Sequence, residues 1–112
     1  MLAKSYRLTK RGSFDYLYRR GTKLGVAAFS LVYLLGKSTK IGFSVSNKIG
    51  KAHQRNLVKR RLRAIVRELL PRLVQKAQIV FVAKVGISNL DFAMLRQQVI
   101  VALTKSKLIQ PK

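Results

Sequence analysis

Apolar residues recur along this chain with two different periods, and the switches between them mark out its elements. Phe14, Leu17 and Tyr18 stand at i, i+3 and i+4, the spacing of one helix face. Thr9 is placed to cap that helix, and Gly21 can end it by taking a positive φ, which predicts a first helix over 10–20. From Val26 to Leu35 the residues are β-branched or aromatic with partial alternation, and after the turn-like Gly36-Lys37-Ser38-Thr39-Lys40 a second strand is predicted from Ile41 to Ser46. Side chains alternate along a strand, so Ile41, Phe43 and Val45 share one face and Gly42, Ser44 and Ser46 the other. The first face suits a core; the second is small and polar.

The longest helical pattern runs from Ala52 to Leu70, where Pro71 marks its end or a restart. Gln78 to Lys84 is too short for a globular helix and rich in strand formers, so it is expected to be a strand buried on at least one face and closed by Gly86. Asp91 can cap a last helix in which Phe92, Leu95, Val99 and Leu103 recur at helical spacing, with Lys105 and Lys107 near its negative C-terminal pole. The order helix, strands, helix, strand, helix predicts an α+β sandwich. With no repeat and no linker-like tract, residues 1–112 are expected to form a single domain.

Charge then narrows the partner. The chain carries 24 Lys and Arg against three acids, Asp15, Glu68 and Asp91, for a net charge of +21. So large an excess needs a polyanion to neutralise it, and a mixed strand and helix pattern points to nucleic acid rather than a membrane surface. The 48% hydrophobic content separates the chain from disordered basic tails. Absence of cysteine excludes disulfides and thiolate metal sites. The opening Met1 to Arg7 lacks the apolar run of a secretory signal, and the longest apolar stretch, Phe29 to Leu35, is far short of a membrane span, so a cytoplasmic protein is expected.

Stepping about 100° per residue resolves the central helix into two arcs. Val58, Leu62, Ile65, Val66 and Leu69 form a stripe that must bury itself on the sheet, while Arg55, Asn56, Lys59, Arg60, Arg63 and Arg67 fill the adjoining arc without an acid. Glu68, the helix's one acid, lies on the far side. Most charge runs on helices are solvated faces, but those usually mix signs, because like charges at i, i+4 cost a few tenths of a kcal/mol. Here an RNA backbone would relieve the repulsion. Four Arg to one Lys on the arc also favours two-pronged phosphate contacts.

The stretch Phe43-Ser44-Val45-Ser46-Asn47-Lys48-Ile49-Gly50-Lys51-Ala52-His53-Gln54-Arg55-Asn56-Leu57-Val58-Lys59-Arg60-Arg61-Leu62-Arg63 closely resembles the signature region of the bacterial ribonuclease P protein subunits, whose core is Arg-Asn-x-x-Lys-Arg-x-x-Arg. The likeness extends over most of the chain. It implies a two-layer α/β sandwich with a central four-stranded sheet, three helices and a left-handed β-α-β crossover, a fold of the ribosomal protein S5 domain 2 kind and an exception to the usual right-handed rule. It further implies a subunit, one protein per RNA, that binds a catalytic RNA and helps it remove the 5′ leader of precursor tRNA, with Mg2+ held by RNA and substrate. By this likeness Lys48, Lys51, Arg55, Asn56, Lys59, Arg60, Arg63 and Arg67 bind the catalytic RNA. One departure stands out: Leu57 occupies the place of a second Arg in the family's Arg-Asn-Arg triplet, and Arg61, on another bearing, is a weak substitute.

The resemblance also implies a leader-binding cleft between the first helix and one sheet face, at positions Phe14, Tyr18, Val32 and Ser44. Aromatics beside a basic rim suit single-stranded RNA, whose bases stack on them. The plainer reading of Phe14 and Tyr18, at i and i+4, is mutual burial in the core. The chain offers little catalysis of its own: one histidine, His53, at the entry of the signature helix, three scattered carboxylates, and no Gly-rich phosphate loop, zinc spacing or nucleophile elbow. No catalytic or metal-ligating residue is expected. The competing reading is a ribosomal-type protein that only neutralises and folds rRNA, and composition alone does not separate the two.

Overall fold

The computed structural model describes residues 6–8 and 11–110, without the side chains of 11–13. Helix α1 (Arg11–Arg20) leads into strand β1 (Thr22–Gly25), which forms a hairpin with β2 (Phe29–Leu35). Strand β3 (Lys40–Ser44) is followed by α2 (Ala52–Leu69), β4 (Ala77–Ala83) and α3 (Phe92–Lys105). The four strands form one sheet in the order β1-β2-β4-β3, in which β2 runs antiparallel to both neighbours and β3 parallel to β4. The parallel pair is what requires α2 as a crossover between its strands.

Strand alternation assigns the faces. Phe29 and Leu31 on β2, Ile41 on β3 and Ile79 and Phe81 on β4 join the α2 stripe Val58, Leu62, Ile65, Val66 and Leu69 and the α3 residues Leu95, Val99, Ala102 and Leu103 in the main core. The α2 residues that periodicity assigned to the sheet are all buried. Phe81 anchors the aromatic part of this core, edge-on to Phe29 at 5.2 Å and stacked with Phe43 at 5.6 Å between ring centroids. The opposite face carries a smaller cluster, Leu8, Leu17, Val32 and Val80, with Phe14 and Tyr18 packed against it. Thus α2 and α3 make the main helical layer and α1 crosses part of the other side. The expected α+β architecture of four strands and three helices is present.

Several local expectations change. The strand expected from Val26 begins at Phe29, and Thr22–Gly25 is a separate edge strand whose exposed, lysine-bearing sequence gave little periodic signal. Strand β3 stops at Ser44, because Asn47–Ile49 turns into a short 3-10 segment that leads to Gly50, at φ 151°, ahead of α2. Pro71 both ends α2 and starts a single 3-10 turn, Leu70–Arg72. Asp91 caps α3 as expected, its Oδ1 accepting from the Met94 N–H at 2.8 Å. The proposed Thr9 cap of α1 lies outside the described residues. Gly21 ends α1 without a positive φ. Its role is spatial: a Cβ there would lie 2.6 Å from the Leu17 carbonyl oxygen and 2.9 Å from Val32 Cγ1, so only glycine lets the chain turn this tightly from α1 into β1.

Candidate nucleic-acid interface

The interface is built on the half of α2 that the core does not use. Lys51 is the N-cap, and its backbone N–H donates to Gln54 Oε1 at 2.9 Å, fixing the first turn. Arg55 Nε donates back to the Gly50 carbonyl at 3.3 Å. Lys48, Lys51, Asn56, Arg60 and Arg67 are exposed, and Arg55, Lys59 and Arg63 half-buried. All lie on or lead into the arc adjoining the buried stripe. The positive pole of a helix points the same way as Lys48 and Lys51, so dipole and side chains add at that end.

What lies across the helix explains why the arc stays purely cationic. Glu68 is held by a two-pronged contact with Arg96 of α3, with the Arg96 Nε hydrogen bonds at 2.9 and 3.1 Å and a further short bond from Nη2. The Arg96 guanidinium draws the Glu68 carboxyl below its ordinary pKa, chiefly by hydrogen bonding to it. The helix's one acid is therefore turned towards α3 and paired there. Arg61, considered as a substitute for the missing Arg at position 57, is also committed: its Nη1 donates to the Leu90 carbonyl at 2.9 Å and pins the entry of α3 to α2. Leu57, on that flank, is half-buried and belongs to neither hydrophobic cluster.

The second surface is the sheet face beneath α1. Phe14 and Tyr18 sit with ring centroids 6.5 Å apart and planes tilted by 51°. Both are half-buried and pack against the Leu8, Leu17, Val32 and Val80 cluster. Phe14 is seated where Gly42 lacks a side chain, since a Cβ at Gly42 would stand 2.6 Å from the Phe14 Cζ. Val32, expected to face substrate, is 2% exposed and forms the floor under α1 with Leu17 and Val80. It supports this face from below and presents almost no surface. The row two residues along the strands, on the same face, does present one: Gly25 pairs with Ser30, Ser30 with Val82 and Val82 with Ser44. These small residues are exposed or half-buried, and they cross all four strands as a shallow trough about 14 Å wide at ~4.8 Å per strand.

At the β3 edge the two surfaces meet. A groove of about 250 Å³ is lined by Arg7, Leu8, Phe14, Gly42 and Phe43 and, from α2, by Lys59 and Arg63. The Leu8 N–H donates to the Ile41 carbonyl at 2.9 Å, which lays the 7–8 segment along the outer edge of β3 and brings Arg7 to the groove. Of the residues singled out from sequence, Phe14, Lys59 and Arg63 converge here. Arg7, Ser30 and Val82 were not singled out, because their placement on this side of the sheet depends on strand register and on backbone approach. Only the small polar face of β3 hinted at it.

A basic helix face continuous with an aromatic-edged open sheet defines an RNA-binding α+β domain. The family model described as Ribonuclease P matches residues 2–107. A ribonuclease P protein component of Symbiobacterium thermophilum is 37% identical over 97% of both chains, and that of a Nitratiruptor species is 39% identical over 88% of this chain and 89% of its own. Among solved structures, the Staphylococcus aureus RNase P protein superposes with a TM-score of 0.88 at 22% identity, over 96% of this chain and all of that one. The Thermotoga maritima RNase P protein gives 0.81 at 26% identity, over 88% and 96%. The chain belongs to the ribonuclease P protein family.

Proposed function

We propose that this chain is the protein subunit of a ribonuclease P holoenzyme. It binds the catalytic RNA through the α2 arc and the 5′ leader of precursor tRNA on the trough beneath α1, and it assists endonucleolytic removal of that leader to give the mature tRNA 5′ end. The observation that carries the reading is the division of α2: one half is buried in the core, and the other is a row of cations on a helix whose one acid is paired with Arg96. Such a face is costly unless phosphates oppose it.

The chemistry resides in the RNA partner. Among the chain's carboxylates Asp91 caps α3, Glu68 pairs with Arg96, and Asp15 stands exposed on α1, so no acid and base face a common point. Among the described residues no three His, Asp or Glu side chains come together as a metal site, so these residues do not fit a protein-held metal. The Mg2+ that the reaction uses is held by RNA and substrate. One protein per RNA and a cytoplasmic location complete the proposal. Among the described residues no helix is long and apolar enough to cross a membrane.

The test is reconstitution with a bacterial ribonuclease P RNA in magnesium. The wild-type protein is expected to bind that RNA and promote leader removal, with affinity falling steeply as salt rises. Arg55→Ala with Arg60→Ala should weaken RNA binding while circular dichroism and the unfolding midpoint stay near wild type, because both side chains lie off the buried stripe. Binding indifferent to salt, or a double variant that binds as well as wild type, contradicts the reading.

A further inference from the structure

Arg96 lies on α3, off the cationic arc, yet its guanidinium is committed to the helix that carries that arc. Its Nε donates to Glu68 Oε2 at 2.9 Å and to Oε1 at 3.1 Å, and its Nη2 also donates to Oε2. Two features present it there. Helix α3 turns Leu95 and Val99 into the core, which fixes its rotation and leaves Arg96 on the edge towards α2. Arg61, two turns before Glu68 and on nearly the same bearing of α2, donates to the Leu90 carbonyl and ties down the start of α3. The pair itself is open to solvent, with the two side chains 37% and 48% exposed, so it adds little to folding. Its effect falls on charge.

Glu68 directly follows Arg67 and stands about 80° around the helix from Arg60, so its carboxylate borders the arc. An unpaired carboxylate at that border would act within about a Debye length, ~8 to 10 Å, on phosphates held by Arg60 and Arg67. We infer that Arg96 is a positioning residue for RNA binding: it holds the Glu68 carboxylate on the α3 side of α2, so that the one acid of the signature helix neither pairs with the arc's cations nor repels the phosphates they bind. This rests on the proposed binding of the catalytic RNA along the arc. Arg96 acts through Glu68 and touches no RNA itself. Its removal is therefore harmful only while the acid is present.

The experiment measures the affinity of the full chain for a bacterial ribonuclease P RNA in magnesium, across a range of salt. It compares wild type, Arg96→Ala, the double variant Arg96→Ala with Glu68→Gln, and Lys105→Ala, which removes the same charge from the exposed far end of α3. At low salt Arg96→Ala should bind about two- to fivefold more weakly than wild type, the size of one exposed charge interaction, and the deficit should shrink as salt screens it. The double variant should bind at least as tightly as wild type, and Lys105→Ala should stay close to wild type. Arg96→Ala and the double variant both lack the ion pair and should share one urea midpoint, so folding does not account for a difference in affinity between them. A double variant as weak as Arg96→Ala would make Arg96 a direct RNA contact and overturn the inference. An equal loss in Lys105→Ala would reduce the effect to net charge and overturn it too. If wild type binds with a steep salt dependence and Arg96→Ala binds as tightly, the role of Arg96 alone fails; if wild-type binding ignores salt, the interface reading fails first.

Discussion

Replacing Gly42 with alanine asks whether Phe14 is held in the wall of the trough by the absence of a single methyl group. The new Cβ would lie 2.6 Å from Phe14 Cζ, 2.9 Å from Cε1 and 3.3 Å from Leu8 Cβ, whereas carbon atoms prefer about 3.5 to 4.0 Å. Gly42 is paired with Val80 in the parallel ladder, so the ring and not the strand must give way. Full burial of such a side chain is worth about 1.5 to 3 kcal/mol, and Phe14 is half-buried, so displacing it costs about 1 to 1.5 kcal/mol. Gly42 has no positive φ, and alanine there recovers about 0.4 to 1 kcal/mol by restricting the unfolded chain. The net loss in urea unfolding is therefore only about 0.5 kcal/mol, but the coupling is larger. In a Phe14→Ala background the same substitution meets no ring and should stabilise by about 0.4 to 1 kcal/mol. The four proteins form a cycle with a coupling energy of about 1 to 1.5 kcal/mol, and additivity within about 0.5 kcal/mol would refute the seating of Phe14 on Gly42.

Two further substitutions probe other parts of the account. Leu57→Arg restores the family's usual residue on a half-buried flank of α2, and it should tighten binding to the catalytic RNA and steepen the log-log salt slope by up to about 0.9; an unchanged slope would mean that no phosphate lies within reach. Lys107 occupies the left-handed region at φ 63°, just past the end of α3, where the Leu108 N–H returns to the Leu103 carbonyl. Lys107→Gly should relieve that conformation and raise stability by about 0.5 kcal/mol, read as a higher urea midpoint with unchanged slope, whereas a lower midpoint would show that the lysine side chain stabilises the cap.

Sequence was most informative where one physical demand set a strict period. The α2 stripe was legible because five apolar residues at helical spacing must meet a sheet, and the cationic arc followed as its complement. Asp91 was legible as a cap because its role is local. Strand β1 was not, since an exposed edge of four residues carries almost no hydrophobic alternation. The trough was half legible. The small face of β3 was visible, but the row Gly25, Ser30, Val82, Ser44 exists only once the register brings together residues up to 57 positions apart. Val32 lies on the sheet face beneath α1, and its burial there depends on how closely Gly21 lets α1 approach. Arg61 and Arg96 read as more surface charge; only the packing of α3 on α2 turns them into structural contacts.

The central claim, that this chain reads substrate as well as neutralising RNA, is tested most directly at Tyr18. Its ring is half-buried beside Phe14 at the edge of the trough. The measurement is the ratio of holoenzyme affinities for precursor tRNA with a leader of several nucleotides and for mature tRNA, in wild type and in Tyr18→Ala, once circular dichroism has confirmed folding. A base stacked on the ring is worth about 1 to 3 kcal/mol, so the variant should lose about 1 kcal/mol or more for the precursor and almost nothing for mature tRNA, lowering the ratio. Equal losses for both ligands would assign Tyr18 to the core alone and contradict the account.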